Sequence, residues 1–330
     1  MAQIYGIDLS KDKFDVNYLD SNGQEKSLVY KNNLGGISKF LESVGEDAVL
    51  CAEHTGVYGA MIEFICTVCG VKLALCPGYV IKHSLGMQKG KTDKIDAKRI
   101  REYAERFSDK LRYVYHSDEA LSEVKELYNF RTQLVKERKM LMTRNRGRNH
   151  LPFNSLTVHS VTVDLLKSMD HSIARIEAEI ERLIVEAEGL RDNFELLKTI
   201  PGIGLVVASG LIIKTGNFKR VSNPRAAASL AGVCPFPNAS GKMVKKSKVS
   251  NLSDKELKSL LYLCSVNAVR YNAEYKLYKA RKLEEKKPYF LVMNNIANKI
   301  LRTAFAVVET KTKYELGHEA QNPRNIKNTA

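Results

Sequence analysis

Several things are scarce in this sequence, and each scarcity narrows the reading. There is no tryptophan, an absence that by itself separates no function classes. No apolar run is long enough to span a bilayer and no secretory signal opens the chain, so a soluble, cytoplasmic, nucleoid-associated protein with no membrane partner is expected. Cysteines number six, at positions 51, 66, 69, 76, 234 and 264. Cys66-x-x-Cys69 has the spacing of half a zinc site, but no second pair follows. The six therefore read as reduced, buried thiols. Acids are the other deficit: 37 Asp and Glu stand against 52 Lys and Arg, a formal net charge of +15. An excess of that size favours a polyanionic partner, most commonly nucleic acid.

What is present begins with Ile4-Tyr5-Gly6-Ile7-Asp8-Leu9, a strand-like run that carries one acid into an apolar interior. Gly6 permits a close backbone approach just before Asp8. A second strand-like run, 14–19, makes a hairpin with it. An ionised carboxylate in a central strand is costly unless a cation or a basic side chain binds it. Further on, Ala48 to Glu53 reads as a buried strand ending on an acid, followed by a helix over about 57–69. Residues 71–76 read as another strand, stopped by Pro77-Gly78. Strands alternating with helices indicate an α/β domain with a partly parallel sheet, whose sites gather at strand ends. After a basic loop, 86–91, Thr92-Asp93-x-x-Asp96 opens a helix running to about Phe107. The spacing puts Asp93 and Asp96 on one face, and equally suits Asp93 as an N-cap with Asp96 as a first-turn acid.

Residues 117–149 and about 162–190 read as two long, charged helices. The second carries Ile173, Ile176, Ile180, Leu183, Ile184 and Ala187 at near-heptad spacing, which predicts a coiled-coil arm, as an intrachain hairpin or a dimer seam. Arg144, Arg146 and Arg148 lie at its tip, placed to grip phosphates, although a solvated charge run is the default reading. Leu197 to Gly204 resembles a helix-hairpin-helix turn in which Gly202 and Gly204 would offer backbone N–H groups to a phosphate. A plain capping turn fits as well. A small-residue helix from Ala226 runs into a loop holding Ser240, with Lys242, Lys245 and Lys246 beside it. Helices over about 254–270, 272–286 and 288–308 follow, and the tail after Thr310 is polar.

Asp8, Glu53, Asp93 and Asp96 thus fall at two strand ends and on one helix face. Carboxylates gathered without basic partners repel one another, and Mg²⁺ or Mn²⁺ suits an all-oxygen set. In a chain of +15 this points to metal-dependent phosphoryl transfer on nucleic acid.

The pattern Gly6-Ile7-Asp8-x-Ser10-Lys11, Glu53-x-Thr55-Gly56-x-Tyr58, Lys91-Thr92-Asp93-x-x-Asp96-Ala97 and Gly232-Val233-x-Pro235 with Ser240-Gly241 resembles the DEDD-type transposases of the insertion-sequence family numbered one hundred and ten, together with the Piv-type DNA invertases. The resemblance runs from Ile4 to about Val308. It implies an α/β RuvC-like (RNase H-related) domain over 1–110, a helical coiled-coil arm over 111–191 and a mainly α transposase domain over 192–309, while polar composition predicts a disordered tail over 310–330. It implies Asp8, Glu53, Asp93 and Asp96 as ligands of two Mg²⁺ or Mn²⁺ ions, with Lys91 among the nucleic-acid contacts. It also implies Ser240 as the nucleophile of strand exchange, on donor and target DNA paired to a structured bridge RNA. With an arm between the two domains, a homo-oligomer, dimer or tetramer, is expected to complete the site in trans. The alternatives are a RuvC-like structure-specific nuclease that leaves Ser240 a bystander, a site-specific DNA invertase, and a non-catalytic nucleic-acid scaffold.

Overall fold

A computed structural model of the protein describes residues 3–86, 90, 92–114, 119–240, 243–249 and 253–316, without the side chains of 149, 236–240 and 243–248. The chain falls into two compact units, Met1–His116 and Ser117–Ala330.

In the first unit, β1 (Ile4–Leu9), β2 (Lys13–Leu19) and β3 (Glu25–Lys31) form an antiparallel meander. Asp20 closes the second turn, its Oδ1 accepting hydrogen bonds from the backbone of Asn22 and Gln24. Then come α1 (Leu34–Glu42), β4 (Val49–Glu53), a single 3₁₀ turn (Gly56–Gly59), α2 (Ala60–Val68), β5 (Lys72–Cys76), α3 (Gly78–Ser84) and α4 (Asp93–Arg106). The sheet order is β3-β2-β1-β4-β5, with β1, β4 and β5 parallel. The strands alternate between two apolar layers, as a period of two requires. Tyr5, Ile7, Leu9, Phe14, Val16 and Leu50 pack with Ile37 and Phe40 of α1 and Ile62 and Ile65 of α2. On the other face Cys51, Ala74 and Cys76 pack with Ile81 of α3 and Ile100, Tyr103 and Ala104 of α4.

Gly6 decides how closely α4 can lie on that second face. A Cβ on Gly6 would fall 2.2 Å from the Ala97 carbonyl oxygen and 2.3 Å from the Arg101 nitrogen. Helix backbone therefore touches strand backbone. Buried Arg101 pins the same contact by donating from Nε to Asn17 Oδ1 of β2 at 2.7 Å.

In the second unit, α5 (Glu119–Gly147) and α6 (Leu156–Glu186) form an antiparallel intrachain hairpin. Arg131 pairs with Glu177 and Arg138 with Asp170, so each step of seven residues up α5 is matched by seven down α6. α6 begins at Leu156, earlier than the heptad signal suggested, because Ser155 caps it by accepting from the Val158 nitrogen. It ends at Glu186, ahead of the break at Ala187. The irregular tip is correspondingly short. The base of the hairpin (Val124, Tyr128, Ile180, Ile184) lies in one core with α7 (Glu188–Lys198), α8 (Leu205–Thr215), α9 (Pro224–Leu230), α10 (Lys255–Tyr271), α11 (Ala273–Glu284) and α12 (Tyr289–Thr310). Between α9 and α10 the expected loop is a β-hairpin, β6 (Phe236–Ser240) and β7 (Met243–Lys248). The tail from 317 lies outside the described residues. None of the six cysteines is in a disulfide; Cys51, Cys66, Cys76 and Cys264 are buried, but Cys69, against expectation, is exposed.

Replacing Gly6 with Ala forces the α4 backbone off β1, and neither neighbour is a side chain that can swing away. Gly6→Ala should cost about 2–3 kcal/mol of stability in urea unfolding. A loss under about 0.5 kcal/mol would show that α4 does not rest on this contact.

Candidate active site

Glu53 ends β4, and Asp8 stands one residue before the end of its parallel neighbour β1. The ladder pairs Ile7 with Ala52, so the next residues on each strand, the two acids, stand at one level. Asp8 shares the face of Gly6, onto which α4 is packed. That contact brings in the first turn of α4, where Thr92 is the N-cap, its Oγ1 accepting from the Ile95 nitrogen at 3.3 Å. Asp93 is thus the first helical residue and not the cap, and Asp96 lies three residues on. Both favour the positive end of the helix dipole. Glu53 lies over Gly78 of α3: a Cβ there would fall 2.0 Å from its Oε1, so the glycine leaves the space the carboxylate occupies.

The electrostatics carry the mark of crowding. Burial first, then the neighbouring carboxylates of Asp96, Asp93, Glu53 and Asp15, push Asp8 up to about 6. The four acids are therefore electrostatic neighbours, joined by a fifth. Asp15 is buried on β2, directly opposite Asp8 in the antiparallel ladder. Two basic side chains offset part of this charge. Lys13 Nζ bridges Asp15 Oδ2 at 2.9 Å and Asp93 Oδ2 at 2.8 Å, which holds its ammonium well above the usual lysine range. Arg99 Nη1 meets Asp96 Oδ1 at 2.9 Å, while its Nη2 donates to the Gly90 carbonyl.

Among the described residues, no group of three or more His, Cys, Asp or Glu is already set to hold a metal ion. The donor chemistry nevertheless fits one: the oxygens are hard, the carboxylates repel, and two of them are held by cationic side chains where a metal would compete. Lys13, Asp15 and Arg99 were not singled out from sequence. The signal for the first two was available, because a tight turn after Leu9 sets Asp15 opposite Asp8, with Lys13 two residues before it on the same face.

The other predicted residues fall on separate elements or outside the described residues. Ser240 is the last residue of β6 and pairs with Met243, beside the connection 241–242; its side chain is outside the described residues. Lys91 and Lys242 lie outside them altogether, and Lys245 and Lys246 are placed only as backbone of β7. Arg144 and Arg146 are exposed near the end of α5, and Arg148 opens the 3₁₀ turn that follows. Gly202 has φ +93°, and a Cβ on it would meet the Cys264 carbonyl at 2.6 Å, so close packing on α10 accounts for this glycine. Gly204 caps α8 in an extended conformation.

A mixed sheet with acids near its parallel strand ends, crossed by a helix bearing two more, fits a nuclease-like domain of the DEDD type. Here it is joined to a mainly helical unit. Comparison with known proteins is more specific. A DEDD-type IS110 transposase model matches residues 5–153, and the model described as "Transposase IS116/IS110/IS902 family" matches 194–280. The chain is similar to the pilin gene-inverting protein of Moraxella lacunata, 28% identical over 96% of this chain and 98% of that protein. It is also similar to that of Moraxella bovis, 27% identical over the same shares. It belongs to the IS110 family of transposases and is a DNA transposase or recombinase, an enzyme whose substrate is DNA. The scaffold reading falls with that. No helix among the described residues is long and apolar enough to cross a membrane.

The raised Asp8 pKa has a testable sign. Its carboxyl holds a proton in the folded state that it releases when unfolded, so without divalent metal its contribution to stability falls as pH rises from about 4 to 6, then levels off. In EDTA, Asp8→Asn should therefore be the more stable protein at pH 7.5, by about 1–2 kcal/mol once solvent screening is allowed for. The advantage should shrink toward pH 4. Melting curves of both proteins across that range check it; a pH-independent difference would show that Asp8 is not crowded.

Proposed function

We propose that this enzyme is an RNA-guided DNA recombinase of an insertion element that cuts and rejoins strands by divalent-metal-dependent phosphoryl transfer, with a RuvC-like first unit. The observation that carries it is geometric: Asp8 and Glu53 stand at one level on neighbouring parallel strands, and the helix packed on Gly6 bears Asp93 and Asp96 in its first turn. Transposases of the DEDD type typically use divalent ions. Bound to these four acids, one or two Mg²⁺ or Mn²⁺ ions would supply charge neutralisation and Lewis acidity at a phosphodiester.

The chain's own residues divide the remaining work. Asp8 and Glu53, on rigid strand ends, fix the position of the site. Asp93 and Asp96, on the first turn of α4, close it from the side. Ser240 is the nucleophile: its Oγ forms a bond to phosphorus as one bridging P–O bond breaks, the serine gives up its proton, and the departing deoxyribose oxygen gains one. The phosphoserine conserves the energy of the broken bond, so a DNA hydroxyl can later reverse the step without ATP. Its position beside a hairpin connection, at the end of a strand, supports a residue meant to be presented. Ser240 would complete the acidic site of another protomer, in a dimer or tetramer whose α5–α6 hairpin acts as a coiled-coil arm. Guidance by a structured bridge RNA rests on the family resemblance and the net charge of +15. Arg144, Arg146, Arg148, Lys91, Lys242, Lys245 and Lys246 are the proposed backbone contacts. A second reading, site-specific DNA inversion, is favoured by the end-to-end match to two pilin gene-inverting proteins.

Incubating the protein and its flanking non-coding RNA with DNA of the element's ends, then denaturing, should trap a covalent protein–DNA adduct. Ser240→Ala should abolish the adduct while leaving DNA binding within about twofold. Free cut ends without adduct would mean water attacks and the protein is a nuclease. Full activity after complete removal of RNA would sink the guided reading alone.

A further inference from the structure

Lys13 spans two carboxylates that differ sharply in their exposure. The Asp15 side chain is 6% exposed, whereas that of Asp93 is 58% exposed. Taking Lys13 from Asp15 would leave a buried, unpaired charge, a strongly unfavourable outcome. Taking it from Asp93 leaves a carboxylate that water or another cation can serve. The first bond is thus held by its burial and the second is exchangeable. The backbone of Lys13 is held too: its carbonyl accepts both the Ser10 nitrogen at 3.0 Å and the Ser10 Oγ at 2.7 Å, which locks the β1–β2 turn. Its side chain is 45% exposed, so the ammonium can let go of Asp93 without becoming buried and unpaired.

Resting on the metal-site reading above, we propose that Lys13 is a resident counter-ion of the acidic site, acting on Asp93. Anchored on Asp15, it neutralises Asp93 until a divalent cation takes that carboxylate in exchange. Asp15, the fifth acid, is then a positioning residue that keeps the lysine in place and is not a metal ligand. No bond is made or broken covalently; one cation replaces another on Asp93. The affinity for metal is then a balance between two cations.

The test is Mn²⁺ titration of the full-length protein by electron paramagnetic resonance, with melting curves in EDTA. Lys13→Met should bind Mn²⁺ about threefold to tenfold more tightly than the unaltered protein and melt at a lower temperature in EDTA. Lys13→Arg, which keeps the charge, should restore both values and so separates loss of the cation from a damaged fold. Unchanged or weaker Mn²⁺ binding by a folded Lys13→Met protein overturns the proposal. So does a loss of tenfold or more in Asp15→Asn, which would make Asp15 a ligand. Absence of Mn²⁺ binding by the unaltered protein would sink the metal-site reading itself, and this proposal with it. An intact wild-type affinity alongside an indifferent Lys13→Met sinks the counter-ion alone.

Discussion

Helix α4 lies with its backbone directly on β1, at the one residue of that strand without a side chain. Because Gly6 and Asp8 share a face, the contact that seats the helix also sets the height of its first turn against the acid two residues on. Glu53 arrives at the same level by parallel pairing of β4, and Gly78 leaves room for its carboxylate. Remove the close approach and the strand-end acids remain but the helix acids withdraw. The site is therefore built first by packing, and the Lys13 bridge from Asp15 of β2 to Asp93 of α4 ties the helix to the sheet.

What such packing assembles is electrostatically unfavourable. Five carboxylates crowd the end of the sheet, and the protein offsets them with Lys13 and Arg99, leaving Asp8 near 6. Crowding like charges in this way lowers the stability of the fold, the usual tension between stability and function at a site.

The second unit shows a different economy. Its hairpin is rooted in the core of the helices that follow it, through Tyr128, Ile180 and Ile184, and only its outer part stands on ion pairs such as Arg138 with Asp170. The sequence pattern of α6 was readable because Ile173, Ile180 and Ile184 do face inward. It did not show where the helix starts, since Leu156, Val158 and Val161 are apolar yet exposed, and a capping serine sets the boundary. The β6–β7 hairpin was illegible for a related reason. Met243-Val244-Lys245-Lys246-Ser247-Lys248 has too little alternation of apolar residues to signal a strand, and its pairing comes from the partner strand.

From its own residues the sequence determined most of the order of strands and helices in the first unit, though not α3, together with the two acids near strand ends and the close backbone approach at Gly6. Each of these is local: alternation, a breaker, a missing Cβ. Tertiary structure alone decided that Thr92 and not Asp93 caps α4, that Asp15 faces the same site as Asp8, and that Lys13 reaches an acid 80 positions away. Those depend on register and on helix-to-sheet distance. Both are set by what the chain packs against, and no window of sequence contains it.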